Sequence, residues 1–227
     1  MKAVIFDIDD TLYPYAPCDA AGTECMADML SKLSGQTYGK ERFAELLSRA
    51  KAYVKQKNAG TAACHNRLLY SQKLCEMTGC FTAENVIALY DAYWDAFLDN
   101  MRFFDGAYEL LCDIGKRGLK LGFCTDLTAH IQMRKLVRLG IGDIADGVVT
   151  SEESGAEKPS ERPFAMILEK LGVSAVDAVM IGDDYKKDII GAENVGIKAI
   201  LFGKESGHGI CASDYRELAK LLKGMME

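Results

Sequence analysis

The sequence lacks the features that would direct it to a membrane or to a nucleic acid. No apolar run approaches the roughly 20 residues that a bilayer-spanning helix needs. Lysine and arginine number 27 against 33 for aspartate and glutamate, and they form no long basic run. We therefore expect neither nucleic acid nor an anionic membrane surface as a partner. Internal repeats and low-complexity segments are also missing, which leaves an ordinary globular chain of one or two domains.

The eight cysteines contain no Cys-x-x-Cys pair. They are scattered through the chain at positions 18, 25, 64, 75, 80, 112, 124 and 211. In a chain of this size, scattered thiols are more often reduced and half-buried than joined in a disulfide framework. This pattern predicts a cytoplasmic protein, and the sequence leaves the oligomeric state open.

Beyond residue 101 the chain alternates short apolar strands with helices. The predicted strands, including one at the start of the chain, are residues 3–6, 119–124, 147–150, 178–181 and 197–202. Apolar strands joined by single helices pair in parallel, with both faces of the sheet covered. The first strand is expected to complete this sheet. The predicted core is therefore a three-layer α/β domain made of residues 1–14 and 102–227.

Residues 15–101 carry a different pattern. Their apolar residues recur three and four positions apart, which is typical of amphipathic helices. Breaks near Gly35, Gly60 and Gly79 divide the segment into four helices. We therefore predict an all-α domain inserted directly after the first strand.

Two carboxylates follow the first strand, at Asp7 and Asp9. Residues two apart on an extended chain point the same way, so both side chains can face one site. Neighbouring carboxylates repel unless a cation joins them or one of them holds a proton. The pair therefore predicts a divalent metal site, an acid/base pair, or both.

Polar residues also follow three other predicted strands, at the edge where open α/β sheets bind ligands. They are Thr125 and Asp126 after the second strand, Lys158 after the third, and Asp183, Asp184 and Asp188 after the fourth. The carboxylates suit Mg²⁺, which prefers carboxylate, carbonyl and water oxygens.

These residues resemble, in order, the four motifs of the haloacid dehalogenase superfamily. The matches are Asp7, Asp9 and Thr11 to Asp-x-Asp-x-Thr, Thr125 to the second motif, Lys158-Pro159 to the third, and Gly182, Asp183, Asp184 and Asp188 to the fourth. One such motif recurs by chance, but four in order on the right strand ends are specific. The resemblance implies the family's Rossmann-like parallel sheet, and it makes the helical insert the family's α-helical cap.

The resemblance implies a Mg²⁺-dependent phosphatase for a small phosphorylated metabolite, of the sugar phosphate or nucleoside monophosphate type. Asp7 would attack the phosphoryl group and form an aspartyl-phosphate. Asp9 would protonate the leaving alcohol and then help water to hydrolyse the intermediate. Mg²⁺ would be held by Asp7, the backbone carbonyl of Asp9, and Asp183. Thr125 and Lys158 would hold the transferring phosphoryl oxygens.

The resemblance gives Thr11, Asp184 and Asp188 supporting roles, the last two as metal ligands through water. Asp126 stands where relatives commonly have asparagine. Its backbone N–H is expected at the phosphate, whereas its charge would be unfavourable there.

Three further residues are candidates for contact with the substrate. His65 and Arg67 are a basic pair in the insert that could touch the substrate, although a pair on the helix surface is the favoured interpretation. Tyr13, just past the first motif, could line the substrate pocket.

Two other functions stay open from the sequence. A phosphomutase of the same superfamily uses the same two aspartates and a helical cap, and differs in protecting the aspartyl-phosphate from water. A non-catalytic binding protein on this scaffold is disfavoured, because every catalytic position is filled. A dehalogenase is disfavoured as well, because it needs neither Asp9 nor the metal-binding motif.

Overall fold

The computed structural model describes residues 1–203 and 209–226. The chain divides into two compact units. Met1–Pro14 and Arg102–Glu227 make up the first, here called the sheet unit, and Tyr15–Met101 make up the second, here called the helical unit. In the described part of the chain, no helix combines the length and the apolarity that crossing a bilayer requires. All eight cysteines lie in this part and are free thiols.

The helical unit contains the four helices that the apolar pattern predicts. They are α1 (Tyr15–Ser34), α2 (Lys40–Lys57), α3 (Arg67–Thr78) and α4 (Ala83–Asp99), with a 3₁₀ turn at Ala62–His65. Asn66 caps the start of α3, because its side-chain oxygen accepts the Leu68 N–H at 2.8 Å. Helices α1 and α4 pack closely at Gly22, where a Cβ atom would lie 2.7 Å from the carbonyl oxygen of Tyr93. Only glycine permits this approach.

Within residues 1–203 and 209–226, the sheet unit is built on six parallel strands. They are β1 (Ala3–Phe6), β2 (Lys120–Thr125), β3 (Gly147–Thr150), β4 (Ala178–Gly182), β5 (Lys198–Phe202) and β6 (Ile210–Ala212), in the order β3-β2-β1-β4-β5-β6. The predicted parallel α/β sheet is confirmed, but the prediction of five strands is one short. Strand β6 has only three residues and pairs at the edge, so it leaves no periodic pattern in the sequence.

Helices cover both faces of this sheet. They are α5 (Ala107–Lys116), α6 (Ala129–Leu139), α7 (Ser151–Ser154), α8 (Glu161–Leu171), α9 (Gly191–Asn194) and α10 (Tyr215–Met226), with a 3₁₀ turn at Ala175–Asp177 and a π-helix at Tyr185–Ile190. Strand β1 is central and fully buried, and it pairs with β2 on one side and with β4 on the other. The carboxyl ends of these three strands therefore lie side by side, and the candidate site is found there.

Candidate active site

Asp7 leaves the end of β1 at the carboxyl edge of the sheet. Its backbone N–H donates to the carbonyl oxygen of Ile181 at 2.9 Å, so the chain still follows β4 at this point. The residue is only 8% exposed. Burial raises the pKa of Asp7 to about 8, against the opposing effect of Lys158. A carboxyl group in this position therefore needs nearby positive charge to stay ionised at neutral pH.

Lys158 connects three parts of the sheet edge. Its Nζ lies 2.9 Å from Oδ1 of Asp7 and 2.6 Å from Oδ1 of Asp188. It also donates to the carbonyl oxygen of Cys124, in β2, at 2.9 Å. Burial alone would lower the pKa of Lys158, but Asp188 and Asp7 outweigh it and hold this pKa well above its ordinary value. Lys158 is therefore a fixed, buried positive charge beside Asp7.

Three carboxylates converge at this point, from the ends of β1 and β4. Asp7, Asp183 and Asp188 each offer one oxygen, and these oxygens all lie within 4.8 Å of one another. Three carboxylates carry more negative charge than the Lys158 ammonium offsets. Oxygen donors at this spacing suit a hard divalent cation. The residues present therefore fit a metal of this class.

The loop after β4 determines which of its acidic residues joins the cluster. Asp184 turns to the helix that follows, where its Oδ1 accepts the N–H groups of Lys186 and Lys187, each at 2.9 Å. Asp188 instead packs against Gly182, where a Cβ atom would lie 2.3 Å from the Asp188 carboxylate. Its Oδ2 accepts the Asp184 N–H at 3.0 Å. Asp188 thus belongs to the carboxylate cluster, while the Asp184 side chain serves as a helix cap.

Thr125 and Asp126 end β2 and are tied to the next helix by Gln132, which the sequence did not indicate. The Nε2 of Gln132 donates to Oγ1 of Thr125 at 2.8 Å and to the backbone oxygen of Asp126 at 2.6 Å. The Asp126 carboxylate accepts the Lys158 N–H at 3.0 Å and the Lys187 ammonium at 2.7 Å. The Asp126 side chain therefore organises the loop that carries Lys158.

The turn after Asp7 reverses the chain within a few residues. Asp10 adopts a left-handed backbone conformation with φ of 54°. The Leu12 N–H donates to the carbonyl oxygen of Ile8 at 3.0 Å, and the Thr11 carbonyl accepts the hydroxyl of Tyr215 at 2.7 Å. The Thr11 hydroxyl is buried and has no hydrogen-bond partner among the described residues. Thr11 thus anchors the turn that carries Asp9.

Asp9 is held by two side chains of the sheet unit. The Nζ of Lys135 lies 2.6 Å from its Oδ1 and 2.8 Å from its Oδ2, and the Tyr13 hydroxyl donates to its Oδ1. Tyr13 is fully buried. Tyr13, which is predicted to line the substrate pocket, lies in the sheet unit and is a hydrogen-bond partner of Asp9.

Lys135 is the clearest residue that the sequence analysis missed. It lies on α6, four residues after Ile131 and four before Leu139, and its side chain is fully buried. A lysine within the apolar stripe of a helix was the available signal, since a buried ammonium needs partners.

Arg67 and His65 lie together in the helical unit. Arg67 is only 8% exposed, so the favoured interpretation of a pair on the helix surface is wrong for Arg67. The guanidinium donates to the carbonyl oxygen of His65 at 2.8 Å and to the Tyr15 hydroxyl. It also stacks over three aromatic rings, those of Tyr70, Tyr93 and Trp94. Tyr70 is one turn away on α3, whereas Tyr93 and Trp94 come from α4, and together these rings bury the guanidinium.

Comparison with known proteins identifies the class that this fold and site define. A model of the haloacid dehalogenase-like hydrolase family matches residues 1–196. The chain belongs to this family, and its predicted membership is confirmed.

Individual relatives resemble the chain over most of their length. A ribulose-1,5-bisphosphate 5-phosphatase from Halopiger xanaduensis is 42% identical over 201 residues, which cover 88% of this chain and 84% of that protein. A glyceraldehyde 3-phosphate phosphatase from Methanothermobacter thermautotrophicus is 31% identical, covering 90% of this chain and 87% of that protein. The crystal structure of a HAD phosphatase from Thermococcus onnurineus superposes with a TM-score of 0.77 at 25% identity, over 99% of each chain.

Proposed function

We propose that the protein is a Mg²⁺-dependent phosphatase that releases inorganic phosphate from a small phosphorylated sugar. The observation that carries this proposal is the cluster of Asp7, Lys158, Asp183 and Asp188 at one point of the sheet edge, with all but the half-buried Asp183 buried. The relatives named as phosphatases of ribulose-1,5-bisphosphate and glyceraldehyde 3-phosphate support a sugar phosphate over a nucleoside monophosphate.

The reaction proceeds in two phosphoryl transfers through Asp7. In the first, an oxygen of Asp7 attacks phosphorus, the bond from phosphorus to the sugar oxygen breaks, and Asp9 gives its proton to that oxygen. In the second, Asp9 takes a proton from water, whose oxygen attacks phosphorus and restores the Asp7 carboxylate. Phosphate and the dephosphorylated sugar leave. The first transfer leaves Asp9 ionised, as the second requires, and the second leaves Asp9 protonated, as the first requires.

Three groups hold the transferring phosphoryl oxygens in this proposal. They are the Thr125 hydroxyl, the backbone N–H of Asp126 and the Lys158 ammonium. Gln132 fixes Thr125 by a hydrogen bond, and the Asp126 carboxylate fixes the backbone of Lys158. Such donors, oriented before the substrate arrives, stabilise charge in the transition state without reorganising.

Mg²⁺ would be held by Asp7, Asp183 and the backbone carbonyl of Asp9, with Asp188 at the same cluster. Bound there, it would supply positive charge that offsets the charge of the nucleophile and of the phosphate. We also propose that the helical unit is a cap, which restricts the site to small substrates. The eight free thiols support a reducing compartment, for which we propose the cytoplasm.

The test is release of inorganic phosphate from a panel that contains ribulose-1,5-bisphosphate, glyceraldehyde 3-phosphate, nucleoside monophosphates and p-nitrophenyl phosphate. We expect turnover of the sugar phosphates with Mg²⁺, silence in excess chelator, and recovery when Mg²⁺ is restored. Asp7→Asn should lower kcat by at least about 10³-fold, because it removes the nucleophile.

The matched control is Asp177→Asn. Asp177 lies just before β4, at the end of that strand opposite to Asp183. This variant should keep wild-type activity. Full activity in chelator would remove the metal from the proposal, and an active Asp7→Asn enzyme would remove Asp7. A phosphorylated isomer in place of free phosphate would favour the phosphomutase.

A further inference from the structure

Lys135 contacts both carboxylate oxygens of Asp9, one of the two proposed catalytic aspartates. Its Nζ lies 2.6 Å from Oδ1 and 2.8 Å from Oδ2 of Asp9. The lysine side chain is fully buried, whereas the Asp9 side chain is 23% exposed. The ammonium therefore binds the carboxylate from its buried side and leaves the rest of Asp9 accessible.

The position of Lys135 in α6 is unfavourable unless this contact matters. The neighbouring positions of the same stripe, Ile131 and Leu139, are buried and apolar. Taking an ammonium out of water is unfavourable until its partners compensate for the lost hydration. An apolar residue would fill the same space without that cost, so the lysine needs a reason other than packing.

A second donor acts on the same carboxylate. The Tyr13 hydroxyl donates to Oδ1 of Asp9, and an isolated β-bridge joins the backbones of Asp9 and Tyr13. Tyr13 lies four residues after Asp9, in the same turn, whereas Lys135 lies 126 positions after Asp9, on α6. Together they restrict the rotation of a side chain that would otherwise have several rotamers.

We propose that Lys135 is a positioning residue for Asp9 in the transfer of the phosphoryl group to Asp7. It holds the carboxyl group in the orientation from which Asp9 protonates the leaving oxygen. It also lies beside the negative charge that Asp9 gains as it gives up that proton, where a fixed, buried ammonium is most effective. This inference rests on the proposed phosphatase function, and it assigns Lys135 no contact with the substrate.

The test uses two aryl phosphates that differ in the basicity of the leaving group. Phenoxide needs a proton as it leaves, whereas 2,4-dinitrophenoxide does not. We expect Lys135→Met to lower kcat/KM about tenfold for phenyl phosphate, as part of the 10²–10⁴-fold typical of general acid catalysis. For 2,4-dinitrophenyl phosphate the change should stay within about twofold, because no general acid acts on that leaving group.

A double-mutant cycle separates positioning from general damage. In an Asp9→Asn background, Lys135→Met should have no further effect on phenyl phosphate, because the group that it positions is already gone. Arg138→Met, an exposed change on the same helix, is the matched control and should leave both substrates unaffected. Equal losses on both substrates, or full additivity with Asp9→Asn, would overturn the inference.

The outcomes also separate this inference from the proposed function. If the wild-type enzyme hydrolyses neither aryl phosphate nor any sugar phosphate, the phosphatase proposal itself fails. If it hydrolyses both aryl phosphates and Lys135→Met slows them equally, only the role of Lys135 fails. Should Lys135→Met not fold, Lys135→Gln, a polar change that also removes the ammonium, decides. A loss confined to phenyl phosphate supports positioning of Asp9, and equal rates with wild type on both substrates contradict it.

Discussion

The two units of the molecule bury their cations in different ways. In the sheet unit, Lys158 lies 2.9 Å from Asp7 and 2.6 Å from Asp188, so carboxylates surround the ammonium. In the helical unit, Arg67 is surrounded by phenols and aromatic rings, and the Asp19 carboxylate is 3.7 Å away. One cation is held by charge and the other mainly by neutral groups.

The partners of each cation determine what chemistry its surroundings can support. Burial raises the pKa of Tyr93 well above its ordinary value, so this phenol stays neutral beside Arg67. Neutral hydroxyls and ring faces stabilise a guanidinium without offering a group that reacts. The carboxylates around Lys158 are close enough to repel one another, and their charge can be offset further by a cation or used in catalysis. We therefore expect Lys158 to determine activity and Arg67 to determine stability.

Loss of the Lys158 ammonium should reduce activity more than either of the other changes discussed below. Lys158→Met removes the ammonium that lies between Asp7 and Asp188, and with it a donor to the transferring phosphoryl group. We expect kcat/KM for the best sugar phosphate to fall about 10³-fold, the upper range for loss of one preorganised donor. The measurement is steady-state phosphate release with Mg²⁺ present.

The matched control for that change is Lys170→Met. Lys170 pairs with Glu153 on the surface, with both side chains more than a third exposed. Exposed pairs of this kind contribute little, so activity should remain near wild type. A Lys158→Met enzyme with normal kcat/KM would show that Lys158, like Arg67, has a structural role only.

The second expected effect concerns the neutral arrangement. Arg67→Met removes hydrogen bonds to Tyr15 and to the His65 carbonyl, and three ring contacts. We expect the free energy of unfolding to fall by about 2 kcal/mol, from lost cation–π contacts and unpaired polar groups. The turnover of p-nitrophenyl phosphate by the folded variant should stay within about threefold of wild type, since no group proposed for phosphoryl transfer changes.

Denaturant unfolding followed by circular dichroism measures the first quantity, and phosphate release measures the second. Arg42→Met is a suitable control, because Arg42 is exposed and pairs with Glu45 only one turn away on α2. If Arg67→Met unfolds like wild type but loses turnover of sugar phosphates, Arg67 contacts the substrate. That result would revive the other interpretation of the basic pair.

Much of the sheet unit could be predicted because its signals are local. Four consecutive apolar residues followed by Asp7 indicate a buried strand that ends in a carboxylate. Parallel pairing then brings the ends of β1, β2 and β4 together without further information. Strand order and motif resemblance are enough to select Asp7, Lys158 and Asp183 as residues of the site. Their roles stay predictions.

The rest depended on packing that a linear pattern does not contain. Lys135 and Asp9 are separated by 126 positions, so their contact exists only once the fold is formed. The choice between Asp184 and Asp188 depends on the space above Gly182, where a Cβ atom would collide with Asp188. Position along the chain does not reveal that Arg67 is buried, because two of the three rings over it, those of Tyr93 and Trp94, come from another helix.

A third cation, Lys187, is paired with a carboxylate as Lys158 is, but the pair is partly exposed. Its loss should change stability less than the loss of Arg67. Lys187 lies 2.7 Å from Oδ2 of Asp126, with side-chain exposures of 33% and 16%. Lys187→Met leaves Asp126 bonded to the Lys158 N–H, so the loop should keep its position. We expect a loss of stability below about 1 kcal/mol, the usual range for accessible ion pairs.

This loss should shrink further as salt is raised, because ions screen accessible charges. Unfolding curves at low and high ionic strength measure it, with Lys186→Met on the same π-helix as the exposed control. A salt-independent loss of several kcal/mol would mean that the Lys187–Asp126 pair behaves like the buried charges around Lys158. Lys187 would then be a structural cation at the outer edge of the site, because Asp126 would depend on it to hold the loop that carries Lys158.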